Sequence, residues 1–261
     1  GADPAFVDDK IVGPLRKTLL DPGYYRRRKP VIDPRLATPS AAITPIHKVT
    51  TVPVESEDTT HFSVVDSQGN AVSTTTTLSA AYGARVMVPG TGVMLSNAMG
   101  AFSPSGFNVL QPGKRMASSM SPAVVERDGR AVAVIGSPGG DTIPGTVAQL
   151  LRNLVDHGMT IDRAVERGRI HHQWFPDKVR MEKKRLPSKA VLKQLKAMGH
   201  VPAVTHLSQG HANCILIDPK TGTAWGAADS RKGGKALGPK VIRGRPKSKK
   251  AVHSGTKPTR P

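Results

Sequence analysis

Three groups of residues in this sequence could do chemistry if the fold brought them together. The first is a threonine that ends an acidic run: "ESED" at residues 55–58 leads into Thr59-Thr60, and the strand-like "TTHFSVVD" begins there. A threonine hydroxyl is a weak nucleophile without an adjacent base, and one solution is an N-terminal threonine whose own α-amine takes the proton. That requires the chain to be cut between Asp58 and Thr59. An exposed acidic linker running into a strand would place the new terminus at the end of a sheet, with its side chain free to enter a cleft. Alone, a Thr-Thr pair is an ordinary strand opening.

The second group is "GSPGG" at residues 136–140, in front of an apolar-periodic helix. Glycine amides at a helix N-terminus can hold a developing oxyanion. The third is hydroxyl-rich: Thr77 and Ser79 in "TTLS", and Ser118 and Ser119 in "SSMSP". His171 and His172 in "RIHHQW" look like a metal pair, but neighbouring side chains diverge, so no metal site is expected. The single cysteine, Cys214, excludes an internal disulfide and reads as a buried strand residue.

The elements that must position these groups follow from periodicity and turn chemistry. Residues 1–58 are rich in proline and read as an arm wrapped on a body, with one helix near residues 13–20. Runs 62–66 and 71–77 are joined by "SQGN", and runs 123–126 and 131–135 by "RDGR", which predicts two hairpins. A helix follows with Val147, Leu150, Leu151 and Leu154 on one face and Gly158 as its stop. Thr160 is expected to cap "IDRAVERG", and Ser188 to cap a helix bearing Val191, Leu192, Leu195 and Met198. Strands at 213–217 and 223–227 flank "DPKTG". Hairpins before and after a helical block predict stacked antiparallel sheets covered by helices, an α+β class.

The net charge of +19 arises from 38 basic and 19 acidic residues, and 38% of the chain is hydrophobic. From Lys240 onward there are eight Lys or Arg and no acid, with little that could build a core; residues 239–261 are expected to be a disordered basic tail making nonspecific polyanion contacts. Smaller basic clusters lie at residues 26–29 and 183–185. No window has the ~20 apolar residues of a bilayer span, and no signal peptide is visible. Because it opens on glycine, the chain reads as a piece of something longer, which leaves periplasmic, secreted and cytoplasmic placement open.

The ordered set "TTHFSVVDSQGNAV", "TTL", "SSMSP", "GSPGG" and "RIHHQW" resembles the γ-glutamyltransferase (glutathione hydrolase) family of N-terminal nucleophile hydrolases. The resemblance covers nearly all of residues 1–238. It implies an Ntn-hydrolase αββα sandwich, with residues 1–58 as the end of a large subunit and 59–238 as the small, catalytic subunit, the two forming a heterodimer cut from one precursor. It further implies that Thr59 cleaves its own preceding peptide bond and then attacks a γ-glutamyl amide, passing the acyl group to water or an amine. Thr77 matches the threonine supporting the nucleophile, Gly139 and Gly140 the oxyanion glycines, and Ser118 and Ser119 the serines that bind the substrate's α-carboxylate. No cofactor is implied.

Three departures stand out. Ser79 stands where members usually carry asparagine, and Ala98 and Ala101 where they carry the glutamine and aspartate that grip the substrate's α-ammonium. Losing those charge-assisted hydrogen bonds, worth roughly 1.5–3 kcal/mol each, favours a glutaryl-type amide, as in the cephalosporin acylases that resemble this family. The lid loop of some members is also short or missing between residues 102 and 118. Finally, the large-subunit arginine expected to pair with the carboxylate lies upstream of Gly1. Two other readings are a non-catalytic family member and a DNA-associating protein, the latter because "RGRPK" at 243–247 resembles an AT-hook core.

Overall fold

The computed structural model describes residues 9–28, 32–43, 58–104 and 108–238. The acidic run at 55–57 and the tail with its "RGRPK" lie outside the described residues. The described residues begin with helix α1 (Asp9–Leu20), longer than the expected helix, followed by α2 (Pro22–Arg28), which was not expected. In α2, proline stands at the first helical position, where its missing N–H is no loss; the tyrosines and arginines behind it read only as a charge cluster.

Strands β1 (Thr59–Val65) and β2 (Ala71–Thr77) form an antiparallel hairpin with Thr59 opposite Thr77. Asp66 builds its turn, accepting from the amides of Gln68 at 2.8 Å and Asn70 at 2.9 Å, and Gly69 takes φ 88°. Strands β3 (Ala123–Arg127) and β4 (Arg130–Ile135) turn through Asp128 and Gly129. Both of these have positive φ, which the Asp-Gly pair supplies for a two-residue hairpin. Strand β4 also pairs with β8 (Asn213–Ile217), and β8 with β9 (Ala224–Ala228), giving an antiparallel sheet in the order β3-β4-β8-β9.

Helices α3 (Ile143–Val155) and α4 (Ile161–Glu166) cover one face of this sheet. Ala133, Ile135, Cys214 and Ala227 on the strands meet Ile143, Val147, Leu150, Ile161 and Val165 on the helices, all buried. Each large member contributes about 1.5–3 kcal/mol on burial. Burial also pushes the Cys214 thiol up to about 11, so it behaves as a core side chain. The opposite face carries the β1–β2 hairpin, stacked sheet on sheet.

The hairpin is amphipathic in an unusual sense. Its polar residues Thr59, His61, Ser63, Ser73 and Thr75 face inward, while Phe62, Val64 and Val72 are 46–49% exposed. The inward hydroxyls are satisfied by the central sheet: Ser63 donates to the Asn213 carbonyl at 2.8 Å and Ser73 to that of Ile135 at 2.9 Å.

A third sheet was not foreseen. Strand β5 (Ile170–His171) pairs antiparallel with β6 (Val179–Glu182), and β6 pairs parallel with β7 (Pro202–Thr205). Helix α5 (Lys189–Ala197) makes the crossover that a parallel pair needs. Ser188 caps α5 as expected, accepting from the Val191 amide at 3.3 Å. Thr160 makes no side-chain cap for α4; its hydroxyl bonds instead to Asp162 in the first helical turn, where a carboxylate suits the helix dipole.

The arm rests on this region through Ala37 N to the Met198 carbonyl at 2.6 Å, Ser40 N to Asp177 Oδ2 at 2.7 Å and Trp174 Nε1 to the Ser40 carbonyl at 2.9 Å. The paired histidines diverge: His171 is buried against Gln173, while exposed His172 meets Asp177 at 3.0 Å. Among the described residues no helix is long and apolar enough to cross a membrane.

Candidate active site

Thr59 opens β1, and the register places it directly beside Thr77, the last residue of β2. The Thr59 hydroxyl donates to Thr77 Oγ1 at 3.2 Å, and Thr77 Oγ1 in turn donates to the Asp58 carbonyl at 3.0 Å. That carbonyl belongs to the peptide bond in front of Thr59. The Ser79 amide donates to Thr77 Oγ1 at 2.8 Å, so the Thr77 oxygen is held from three sides. Ser79 adopts φ 75°, unusual for a residue with a side chain, and turns the chain sharply off the end of β2.

The next wall is the segment after Leu95. Asn97 ties it to the turn, accepting from the Ala80 amide at 2.9 Å and donating from its own amide to the Leu78 carbonyl at 3.1 Å. Ala98 and Ala101 follow in a single 3-10 turn. Together Thr59, Thr77, Ser79, Ala98, Ala101, Met116, Ala117, Ser118 and Met120 line a cleft that opens to solvent. No charged side chain is among them. Ser118 Oγ accepts from the Met120 amide at 3.2 Å.

Gly139, Gly140 and Ser119 are not among the residues that line this cleft. Ser119 donates to the Gly140 carbonyl at 2.8 Å, which joins the serine loop to the glycine turn. Gly139 has φ 138° and Gly140 φ 55°. A Cβ on Gly139 would lie 2.8 Å from the Gly210 Cα, so the position demands glycine on both counts. Gly139 is the N-cap and Gly140 the first residue of a 3-10 turn at Gly140–Thr142, positions whose amides have no acceptor within the turn.

His61 was missed from sequence, although period two puts it on the same face as Thr59. It is 3% exposed, between Thr75 Oγ1 at 2.8 Å and Ser63 Oγ at 3.1 Å. Its ring fills the space beside Gly136, where a Cβ would sit 2.1 Å from the imidazole. Burial lowers its pKa from 6.5 to about 4, and that of His211 to about 4 as well. A folded-state pKa below the unfolded one means that protonation favours unfolding. The two histidines therefore contribute stability in full above pH 6.5, and it is lost as pH falls toward 4. We expect the unfolding free energy from urea titrations to drop steadily between pH 7 and 4.5, by up to about 1.4 kcal/mol per pH unit for each histidine. A flat profile above pH 5, before carboxylates titrate, would contradict this.

The family profile described as Gamma-glutamyltranspeptidase matches residues 2–238. The chain belongs to the gamma-glutamyltranspeptidase family. It is 37% identical over 227 residues to the glutathione hydrolase proenzyme of Escherichia coli (strain K12), covering 82% of this chain and 38% of that protein. It is 35% identical over 232 residues to the acylase ACY 1 proenzyme of Pseudomonas sp. (strain SE83), covering 87% and 38%. The gamma-glutamyltranspeptidase structure from Pseudomonas nitroreducens superposes with a TM-score of 0.63 at 36% identity, over 69% of this chain and all of that one. The chain thus spans well under half the length of the curated relatives it matches. Its fold is the α+β Ntn-hydrolase arrangement of this gamma-glutamyltranspeptidase family.

Proposed function

We propose that this chain carries the catalytic half of a self-processing threonine amidohydrolase of the γ-glutamyltransferase and glutathione hydrolase type. The observation that supports it most is the relay from the Thr59 hydroxyl through Thr77 Oγ1 to the Asp58 carbonyl. It sets a nucleophile and a supporting hydroxyl at the bond that must break to create an N-terminal threonine. Once cut, the Thr59 α-amine takes the hydroxyl proton as Oγ1 attacks the substrate amide. The Gly139 and Gly140 amides serve as oxyanion donors, and Ser118 as a carboxylate ligand from the cleft wall; Ser119 joins it by exchanging its bond to the Gly140 carbonyl for one to the substrate. Water or an amine then releases the acyl group.

Residues 1–58 belong in this reading to the large subunit and 59–238 to the small one, and the remainder of the precursor packs on the exposed Phe62, Val64 and Val72 face. The test is the intact mass of the full-length protein under denaturing conditions, with N-terminal sequencing. Two pieces, the smaller beginning Thr-Thr-His-Phe, are expected; a single uncut chain would defeat the reading.

A second reading concerns the acyl donor and rests on Ala98 and Ala101 in the cleft wall. Two methyl groups offer nothing to an ammonium, so a glutaryl-type amide is favoured over a γ-glutamyl one. For the full-length enzyme, kcat/KM for glutaryl-anilide is expected to equal or exceed that for γ-glutamyl-anilide. Ala101→Asp should move the ratio toward the γ-glutamyl substrate by roughly 10- to 100-fold, the worth of one charge-assisted bond. A wild-type preference for γ-glutamyl-anilide would end this second reading and leave the first intact.

A further inference from the structure

Asp58 is exposed, and nothing about burial requires it to be tied down. Yet one turn holds it at both ends. Thr77 Oγ1 donates to its backbone carbonyl at 3.0 Å, and four residues later the Ala81 amide donates to its carboxylate Oδ2 at 3.0 Å. The turn is itself braced by Ser79 N to Thr77 Oγ1 at 2.8 Å and by Ala80 N to Asn97 Oδ1 at 2.9 Å. Fixing the carbonyl oxygen and the carboxylate of one residue leaves its peptide plane almost no freedom, since only two backbone dihedrals per residue are soft. The plane so fixed is the one joining Asp58 to Thr59.

We propose that the Asp58 carboxylate, docked on the Ala81 amide, is a positioning group for chain cleavage and for nothing after it. The inference rests on the self-cleavage reading above. In the step it serves, Thr59 Oγ1 adds to the Asp58 carbonyl carbon. The carbon–nitrogen bond then breaks, and the hydroxyl proton ends on the departing nitrogen, which becomes the Thr59 α-amine. The resulting ester between Asp58 and Thr59 Oγ1 takes up one water, giving a new α-carboxylate on Asp58 and restoring the threonine hydroxyl. Docking holds the carbonyl within reach of Oγ1 while the strand end would otherwise fray, and positioning of this kind acts on rate. Once cut, Asp58 is a chain terminus with no bond to the nucleophile, so later amide hydrolysis proceeds without it.

The experiment follows cleavage of the full precursor over time by intact mass for wild type, Asp58→Ala, Asp58→Asn and Thr59→Ala. Asp58→Ala is expected to slow cleavage about tenfold, the effect of one hydrogen bond of about 1.4 kcal/mol. Asp58→Asn keeps an oxygen that accepts from the Ala81 amide and should stay within about twofold of wild type. The matured fraction of Asp58→Ala should hydrolyse substrate with wild-type kcat and KM. Cleavage of Asp58→Ala at the wild-type rate overturns the proposal. So does an Asp58→Asn variant as slow as Asp58→Ala, or a matured Asp58→Ala enzyme with reduced kcat. Any of these leaves the functional reading standing, whereas an uncut wild-type chain overturns both.

Discussion

Replacing Thr59 by alanine is expected to leave the precursor as one chain and to lower amide hydrolysis by roughly 10⁴- to 10⁶-fold, the scale seen when a covalent nucleophile is deleted. The argument runs through geometry. Thr59 Oγ1 donates to Thr77 Oγ1 at 3.2 Å, and Thr77 in turn donates its proton to the Asp58 carbonyl. No other hydroxyl stands in this relay. Alanine keeps the strand and its register, because the backbone pairing of Thr59 with Thr77 is untouched. The loss should therefore appear without a fall in stability larger than about 1 kcal/mol. Thr59→Ser retains the oxygen and should still self-cleave, more slowly. An alanine variant that stays uncut but hydrolyses substrate at a tenth or more of the wild-type rate would sink the assignment of Thr59.

Much of this arrangement was legible before any coordinates. The hairpins announced themselves through "SQGN" and "RDGR", because positive-φ turn chemistry is local and strong. Helices α3 and α5 were readable from apolar spacing and flanking glycines. Thr77 as the partner of Thr59 is what the family resemblance implies, and the register of the two seven-residue strands sets them opposite each other.

What escaped was nonlocal. Strands β5, β6 and β7 are only two to four residues long, too short for alternation to show. In β6 the buried residue Glu182 reads as a surface charge until its partners from residues 209 and 231 are known. The inward polar face of β1 also runs against the general rule that the apolar side of a strand faces the core, since Phe62 and Val64 are exposed. The serines can face inward there because carbonyls of β4 and β8 receive them, and His61 because the Thr75 and Ser63 hydroxyls partner its ring. Nothing in the sequence signalled that Asp58 is docked on Ala81, since that bond depends on how the 77–81 turn closes.

The second large effect is expected at Arg231. Its guanidinium binds both Glu182 oxygens at 2.6 Å and reaches Asp229 at 3.0 Å, with the side chains 1–5% exposed. Arg169 completes the cluster with Asp229 at 2.7 Å, so two cations face two carboxylates in the interior. Glu182 Oε1 accepts from the Gln209 amide at 3.0 Å, and the Gln209 carbonyl accepts from Arg169 Nη1 at 2.9 Å. The cluster therefore holds the residue preceding Gly210, which packs against Gly139.

Arg231→Ala strands one carboxylate without a cation and should cost about 3–5 kcal/mol, a fall in Tm of roughly 6–20 °C for a chain of this size. The stranded group regains stability by taking a proton, so the deficit should be smaller at pH 5 than at pH 8. Removing both partners, as in Glu182→Met with Arg231→Met, leaves the neutral Arg169–Asp229 pair and should recover much of the loss. Loosening at Gly210 should also reach the glycine turn and reduce kcat more than it alters KM. If Arg231→Ala melts within about 2 °C of wild type, the buried cluster is not what holds this end of the sheet, and the link from Arg231 to the Gly139 turn falls with it.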